Sequence, residues 1–169
     1  MLIDDSAKQS LCKDIDHVIS KGSYWDNSPP YQTNINVFGL PNEHWNNLKM
    51  SFIWSCFAFM KQEKQIKSVK SWGYRTSLDI KEDRDNYWHQ HLREGSSVVS
   101  GVYYLDLPND VDLSVAGTEF APQGPEHSDK YYASAKKGHW IIFPGKMWHR
   151  PGILQSHSNR YVVAADMEI

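Results

Sequence analysis

At Val69 the chain changes rhythm. From there apolar residues recur at every second position in six short segments, SWGYRTSLDI, SVVSGVYYLDL, GTEFAP, KYYASA, GHWIIFP and NRYVVAADM. Turn formers such as Pro108-Asn109-Asp110 and Pro122-Gln123-Gly124 separate them. A period of two is the signature of a strand buried on one face. Several such strands at close spacing predict a mainly β fold of two packed sheets, a jelly roll or double-stranded β-helix. Seven Trp, nine Tyr and six Phe suit such sheets better than a helical bundle.

The first part of the chain follows a different period. Ser6 with Gln9 has capping-box spacing, and Ala7, Leu11, Ile15 and Val18 recur at helical steps until Gly22, predicting a helix over 6–21. The Pro29-Pro30 pair marks a loop, and Ile35 and Val37 alternating with Asn34 and Asn36 predict a first short strand. Pro41-Asn42 then opens a helix expected over 43–66, whose apolar stripe runs through Trp45, Leu48, Phe52, Cys56 and Phe59. Both helices are expected to cover one sheet. A length of 169 residues suits a single domain over 1–169, with helices and first strand in 1–68 and the jelly-roll core in 69–169.

Charge narrows the partners. Eighteen basic and twenty acidic side chains give a net charge of −2 without a block of either sign, which points to neither nucleic acid nor an anionic membrane. The N-terminus lacks a basic region leading into an apolar run, and the longest apolar stretch, Met50 to Met60, is too short to span a bilayer. Only Cys12 and Cys56 are present, far apart, which fits inert thiols in a reducing, cytoplasmic compartment.

His89 and His91 lie two positions apart at the entry to the SVVSGVYYL segment, so on an extended chain both imidazoles point to one side. His149 follows the GHWIIFP segment and its Pro144-Gly145 turn, and in a jelly roll it can meet the first pair at one end of the barrel. Three imidazoles there form a metal site suited to Fe(II), Zn(II), Cu(II) or Ni(II), with positions left open for substrate or water. His17, His44, His127, His139 and His157 read as surface or hydrogen-bonded residues. Arg160 opens the last segment, where Arg160, Val162, Ala164 and Asp166 share a face. An arginine on an apolar face calls for an anion, and its fork matches a carboxylate. An internal ion pair with Asp106 or Glu119 is the plainer reading of the same residue.

The ordered set His89-x-His91, Gly101-Val-Tyr-Tyr-Leu-Asp106, Gly117-Thr-Glu-Phe120, Gly138 to Phe143, His149 and Arg160 resembles the 2-oxoglutarate and Fe(II)-dependent oxygenases, their prolyl-hydroxylase-like group in particular. The resemblance implies an enzyme that couples oxidative decarboxylation of 2-oxoglutarate to hydroxylation of a C–H bond. Its partners would be molecular oxygen and a small-molecule or peptide substrate. By the same resemblance His89 and His149 hold iron, Arg160 pairs with the distal carboxylate of 2-oxoglutarate, and Tyr104 donates to that carboxylate. The departure is His91, which stands where the family has Asp or Glu, so the third ligand is an imidazole, or else Glu94 or water replaces it. That exchange leaves the site one charge more positive.

Two other readings fit. His89-x-His91 with Glu94, then Gly138, Pro144 and His149, also resembles the cupins, which implies a metal-dependent dioxygenase or isomerase with no use for 2-oxoglutarate or Arg160. A non-catalytic jelly-roll binding module would instead present Tyr24, Trp25 and Trp148 for stacking on a sugar. Trp88, Trp140 and Trp148 are expected near the mouth of the site and are candidates for the substrate pocket as well as for packing.

Overall fold

A computed structural model describes residues 3–21, 31–79 and 88–169. The expectations for Gly22, Tyr24, Trp25 and Pro29-Pro30 lie outside the described residues.

Helix α1 runs Asp5–Ser20 and places Leu11 and Ile15 at no solvent exposure. Its cap is Asp4 rather than the expected Ser6. The Asp4 carboxylate accepts from the Ala7 amide at 2.8 Å, satisfying one of the orphan donors of the first turn. Helix α2 runs Glu43–Met60 and is capped by Asn42, whose side chain accepts from the His44 amide. It stops short of the expected residue 66, with Lys61 in the left-handed conformation at φ 57°. The run Lys61-Gln-Glu-Lys-Gln65 offers no apolar side chain to hold another turn against the sheet. The two helices are tied by Asp14, which accepts from Asn42 Nδ2 and Trp45 Nε1, both at 2.9 Å.

The expected strand around Ile35 and Val37 does not form. Val37–Gly39 is a short 3-10 turn in which Val37 and Phe38 are both buried while Ile35 is exposed. The Asn36 side chain accepts from the Phe38 amide, a local bond that competes with strand pairing. In the described segment 31–39 a single residue, Gln32, forms a β-bridge, to Tyr74.

Among the described residues seven strands follow: β1 Ser68–Thr76, β2 Val98–Asp106, β3 Thr118–Ala121, β4 Tyr131–Ala133, β5 Trp140–Pro144, β6 Trp148–Pro151 and β7 Arg160–Glu168. They make two antiparallel sheets, one ordered β1-β7-β2-β5 and one ordered β4-β3-β6. Strand β6 was not among the expected segments. The fold is therefore mainly β and jelly-roll-like, as the period-two pattern predicts.

The pleat divides the large sheet into two functions. Val99, Tyr103 and Leu105 of β2, with Val163, Ala165 and Met167 of β7, join Leu11, Ile15, Leu48 and Phe52 of the helices in one core. Each Val, Leu, Ile, Phe or Met among them contributes about 1.5–3 kcal/mol by leaving water. The alternate residues, Ser100, Val102 and Tyr104 with Arg160, Val162, Ala164 and Asp166, line a cavity on the opposite face. Both cysteines are free; Cys56 is buried in the core, and burial pushes each thiol up to about 12, so neither is a nucleophile. No described helix is long and apolar enough to cross a membrane.

Close backbone approach secures the small sheet. A β-carbon at Gly117 would lie 1.8 Å from the Ala133 carbonyl oxygen, and the Gly117 carbonyl accepts from the Gly152 amide at 2.6 Å. Gly117→Ala is expected to destabilise the protein by at least about 2 kcal/mol, the cost of overpacking against backbone that cannot yield. Urea unfolding would show this as a lowered midpoint with little change in slope.

Candidate metal centre

Backbone pairing brings the three histidines together. His89 and His149 face each other in an antiparallel bridge, each amide donating to the other's carbonyl at 3.1 Å. Side chains directly opposite in such a pair stand on the same side of the sheet. Two residues on, the His91 amide donates to the Gly145 carbonyl at 2.7 Å, which places His91 on that same side. Gly145 permits the approach, since a β-carbon there would lie 2.7 Å from the His91 carbonyl oxygen. His149 itself belongs to β6, opposite Phe120 of β3, so the centre is shared between the small sheet and the segment that leads into β2.

The ring centroids are 4.2 Å apart for His89 and His149 and 5.1 Å for each of the other two pairs. One nitrogen of each ring lies within 4.8 Å of the other two, a spacing at which all three could hold one ion. His149 is buried, and its Nδ1 lies 2.8 Å from the Met147 carbonyl, so Nδ1 carries the proton and Nε2 keeps its lone pair. Burial, reinforced by the neighbouring His89 and His91, lowers the His149 pKa from 6.5 to about 3, so the ring is a neutral donor at ordinary pH. Phe143 packs edge-on against it at 4.6 Å.

His91 Nδ1 lies 2.5 Å from Asp166 Oδ2, and Asp166 Oδ1 accepts from Ser100 Oγ at 2.8 Å. The sequence reading placed Asp166 on the face with Arg160 and gave it no part in the centre. Glu94, weighed there as a replacement ligand, is exposed in the turn bridged by Arg93 and Ser96. Among the described residues the metal-competent group comprises His89, His91 and His149 without it.

Arg160 lines the same cavity, which measures about 460 Å³ and also takes in the three histidines. Only 3% of its surface is exposed. Its Nε donates to Thr76 Oγ1 at 3.1 Å, and Nη1 donates to the carbonyls of Ala116 and Gly152 at 2.9 and 3.2 Å. The two acids considered as its partners are engaged elsewhere, Glu119 with Arg150 at 2.6 Å and Asp106 with Lys137. Tyr104 is buried and its hydroxyl lies 2.8 Å from Thr118 Oγ1. Burial raises its pKa to about 12, so it is a neutral phenol able to donate.

The tryptophans separate. Trp140 belongs to the helix-side core, 4.9 Å from Phe52 and 5.1 Å from Tyr103, and its Nε1 donates to Ser51, so it forms no part of the cavity wall. Trp88 lies under the Arg150 guanidinium at 4.5 Å, and Trp148 sits half-buried opposite Ala121. The aromatic cavity residues are instead Trp72 and Tyr74 of β1, with Tyr31, Tyr104 and Phe143. Trp72 pairs in register with Ala164 and Tyr74 with Val162, so β7 parity assigns them to the cavity face. That signal exists in the sequence only once the β1–β7 register is known.

No family model matches the sequence, and no curated protein matches it. Solved structures do. AviO1 from Streptomyces viridochromogenes Tue57 superposes with a TM-score of 0.66 at 12% identity, covering 99% of this chain and 86% of that one. A prolyl hydroxylase from Trichoplax adhaerens, in complex with a hypoxia inducible factor peptide fragment, gives 0.61 at 11% identity over 98% and 80%. A Pseudomonas putida prolyl-4-hydroxylase gives 0.56 at 12% identity over 95% and 79%. The two sheets and the helices packed on one of them are shared with these neighbours, so the architecture is the mainly β, jelly-roll-like fold that these prolyl hydroxylase structures also have.

Proposed function

We propose that the protein is a 2-oxoglutarate- and Fe(II)-dependent oxygenase acting as a hydroxylase. The observation that carries this reading is one cavity lined both by a three-histidine group and by a buried arginine. The donor set fits the metal: neutral imidazole nitrogens suit Fe(II), and three of them on one side leave positions for further ligands. Arg160, with Tyr104 and Thr118 in the same cavity, fits a carboxylate, for which a guanidinium and a neutral hydroxyl are complementary donors. When bound, metal and 2-oxoglutarate supply the oxidative chemistry, consuming molecular oxygen, releasing succinate and CO2 and hydroxylating a C–H bond.

The chain's own residues supply placement. His89, His91 and His149 would hold the metal, Arg160 and Tyr104 would orient 2-oxoglutarate, and the apolar residues Val102, Val162 and Ala164 keep water from the space between. A small-molecule or peptide substrate would lie against Trp72 and Tyr74, where Trp72 approaches His91 at 6.4 Å between ring centroids.

Anaerobic titration of the Fe(II)-loaded protein with 2-oxoglutarate tests this directly. The expected result is a visible charge-transfer band, followed by succinate once oxygen is admitted. Bound iron with neither band nor succinate would overturn the reading. It would favour a cupin-type metal enzyme, to which the imidazole at position 91 already lends support.

A further inference from the structure

We propose that Asp166 is a positioning residue of the metal centre, acting through His91: its carboxylate fixes the ring in one tautomer and brings a negative charge to a cluster of three neutral ligands. The inference rests on the metal-centre reading above and adds to it a residue outside the ligand set.

Geometry carries it. Asp166 is 5% exposed, and both of its oxygens are committed, Oδ2 to His91 Nδ1 at 2.5 Å and Oδ1 to Ser100 Oγ at 2.8 Å. With Nδ1 donating to the carboxylate, Nε2 is the nitrogen of His91 left with a lone pair. His149 is set in the same sense by the Met147 carbonyl. A buried carboxylate behind an imidazole raises the basicity of the ring and fixes its orientation toward a metal. Three neutral imidazoles leave the two positive charges of a divalent ion uncompensated in a cavity with largely apolar walls. One buried carboxylate next to one of those imidazoles halves that charge without occupying a coordination position.

The placement is built into the sheet. Asp166 and Ser100 are direct partners in the β2–β7 ladder, so the hydroxyl that anchors the carboxylate stands beside it on the cavity face. His91 reaches the pair from the segment that precedes β2, held by its backbone bond to Gly145. An ion pair serving stability alone would account for the distance, but not for its falling on a member of the three-histidine group.

The test is titration of the metal-free protein with Zn(II) and with Co(II), the latter giving a visible spectrum that reports ligand geometry. Asp166→Asn keeps the size of the side chain and removes the charge. It is expected to weaken metal binding by about 10–100-fold and to alter the Co(II) spectrum, with the metal-free protein still folded by circular dichroism. In a His91→Ala background the same change is expected to add nothing, because its effect passes through that ring. Ser100→Ala, which leaves every ligand in place, is expected to cost about threefold. Equal affinities for Asp166→Asn and the parent would overturn the proposal while leaving the metal centre standing. So would the same factor reappearing without His91 or, should Asp166→Asn fail to fold, an unchanged affinity in Ser100→Ala. A parent protein that binds neither ion would overturn both readings.

Discussion

His149→Ala is expected to lower metal affinity by more than about a hundredfold, a larger loss than removal of any residue outside the ligand set. Binding energy at such a site is shared among few donors, and one of three is a large fraction of it. Of the three proposed ligands, His149 is the most tightly held. It is buried, clamped by its backbone pairing to His89 and by the Met147 carbonyl, and packed against Phe143. Zn(II) or Co(II) titration would measure the loss. A variant that binds either ion as tightly as the parent would remove His149 from the centre.

The same residue sets a pH response of the metal-free protein. His149 titrates near 3 in the folded chain and near 6.5 when exposed, so between these values the unfolded chain binds the extra proton. Stability therefore falls as pH drops from 6.5 toward 3, and it is recovered on returning to neutrality. Thermal unfolding across that range should show a shallower dependence in His149→Ala than in the parent, because the variant has lost the group that titrates differently in the two states.

Arg160→Ala is expected to weaken 2-oxoglutarate binding by at least about a hundredfold while metal affinity changes little. Removing one partner of a buried charge pair costs about 2–5 kcal/mol. The guanidinium also has a second duty, because it donates to Thr76 and to the carbonyls of Ala116 and Gly152. Its loss leaves these acceptors unsatisfied at about 1–3 kcal/mol apiece, so a lowered unfolding midpoint should accompany the binding defect. Arg160→Lys separates the two effects. Lysine keeps the charge but lacks the planar fork, so it is expected to recover part of the 2-oxoglutarate affinity and little of the stability. Full 2-oxoglutarate affinity in Arg160→Ala would place the carboxylate elsewhere.

Much of the candidate site is legible in the sequence alone. The His89-x-His91 spacing, the position of His149 after the Pro144-Gly145 turn and the parity of Arg160 with Asp166 all follow from local geometry, in which residues two apart share a face. What could not be read was anything requiring register between strands distant in sequence. Asp166 meets His91 across 75 positions, and Trp72 faces the cavity because it pairs with Ala164. Trp140, a candidate for the substrate pocket by sequence, belongs to the helix-side core. The failed strand at Ile35 and Val37 has a local cause, a side-chain bond from Asn36 that outweighed a weak alternation.

By itself, then, the sequence determined the kinds and approximate places of the elements and the chemistry available to them. Period and capping act within a few residues and need no partner. The order β1-β7-β2-β5, the seating of His149 on β6 and the pairing of Asp166 with His91 were decided by tertiary structure alone. Those depend on which apolar faces can be buried together, and a period of two says that a strand has two faces without saying which strand will lie beside it.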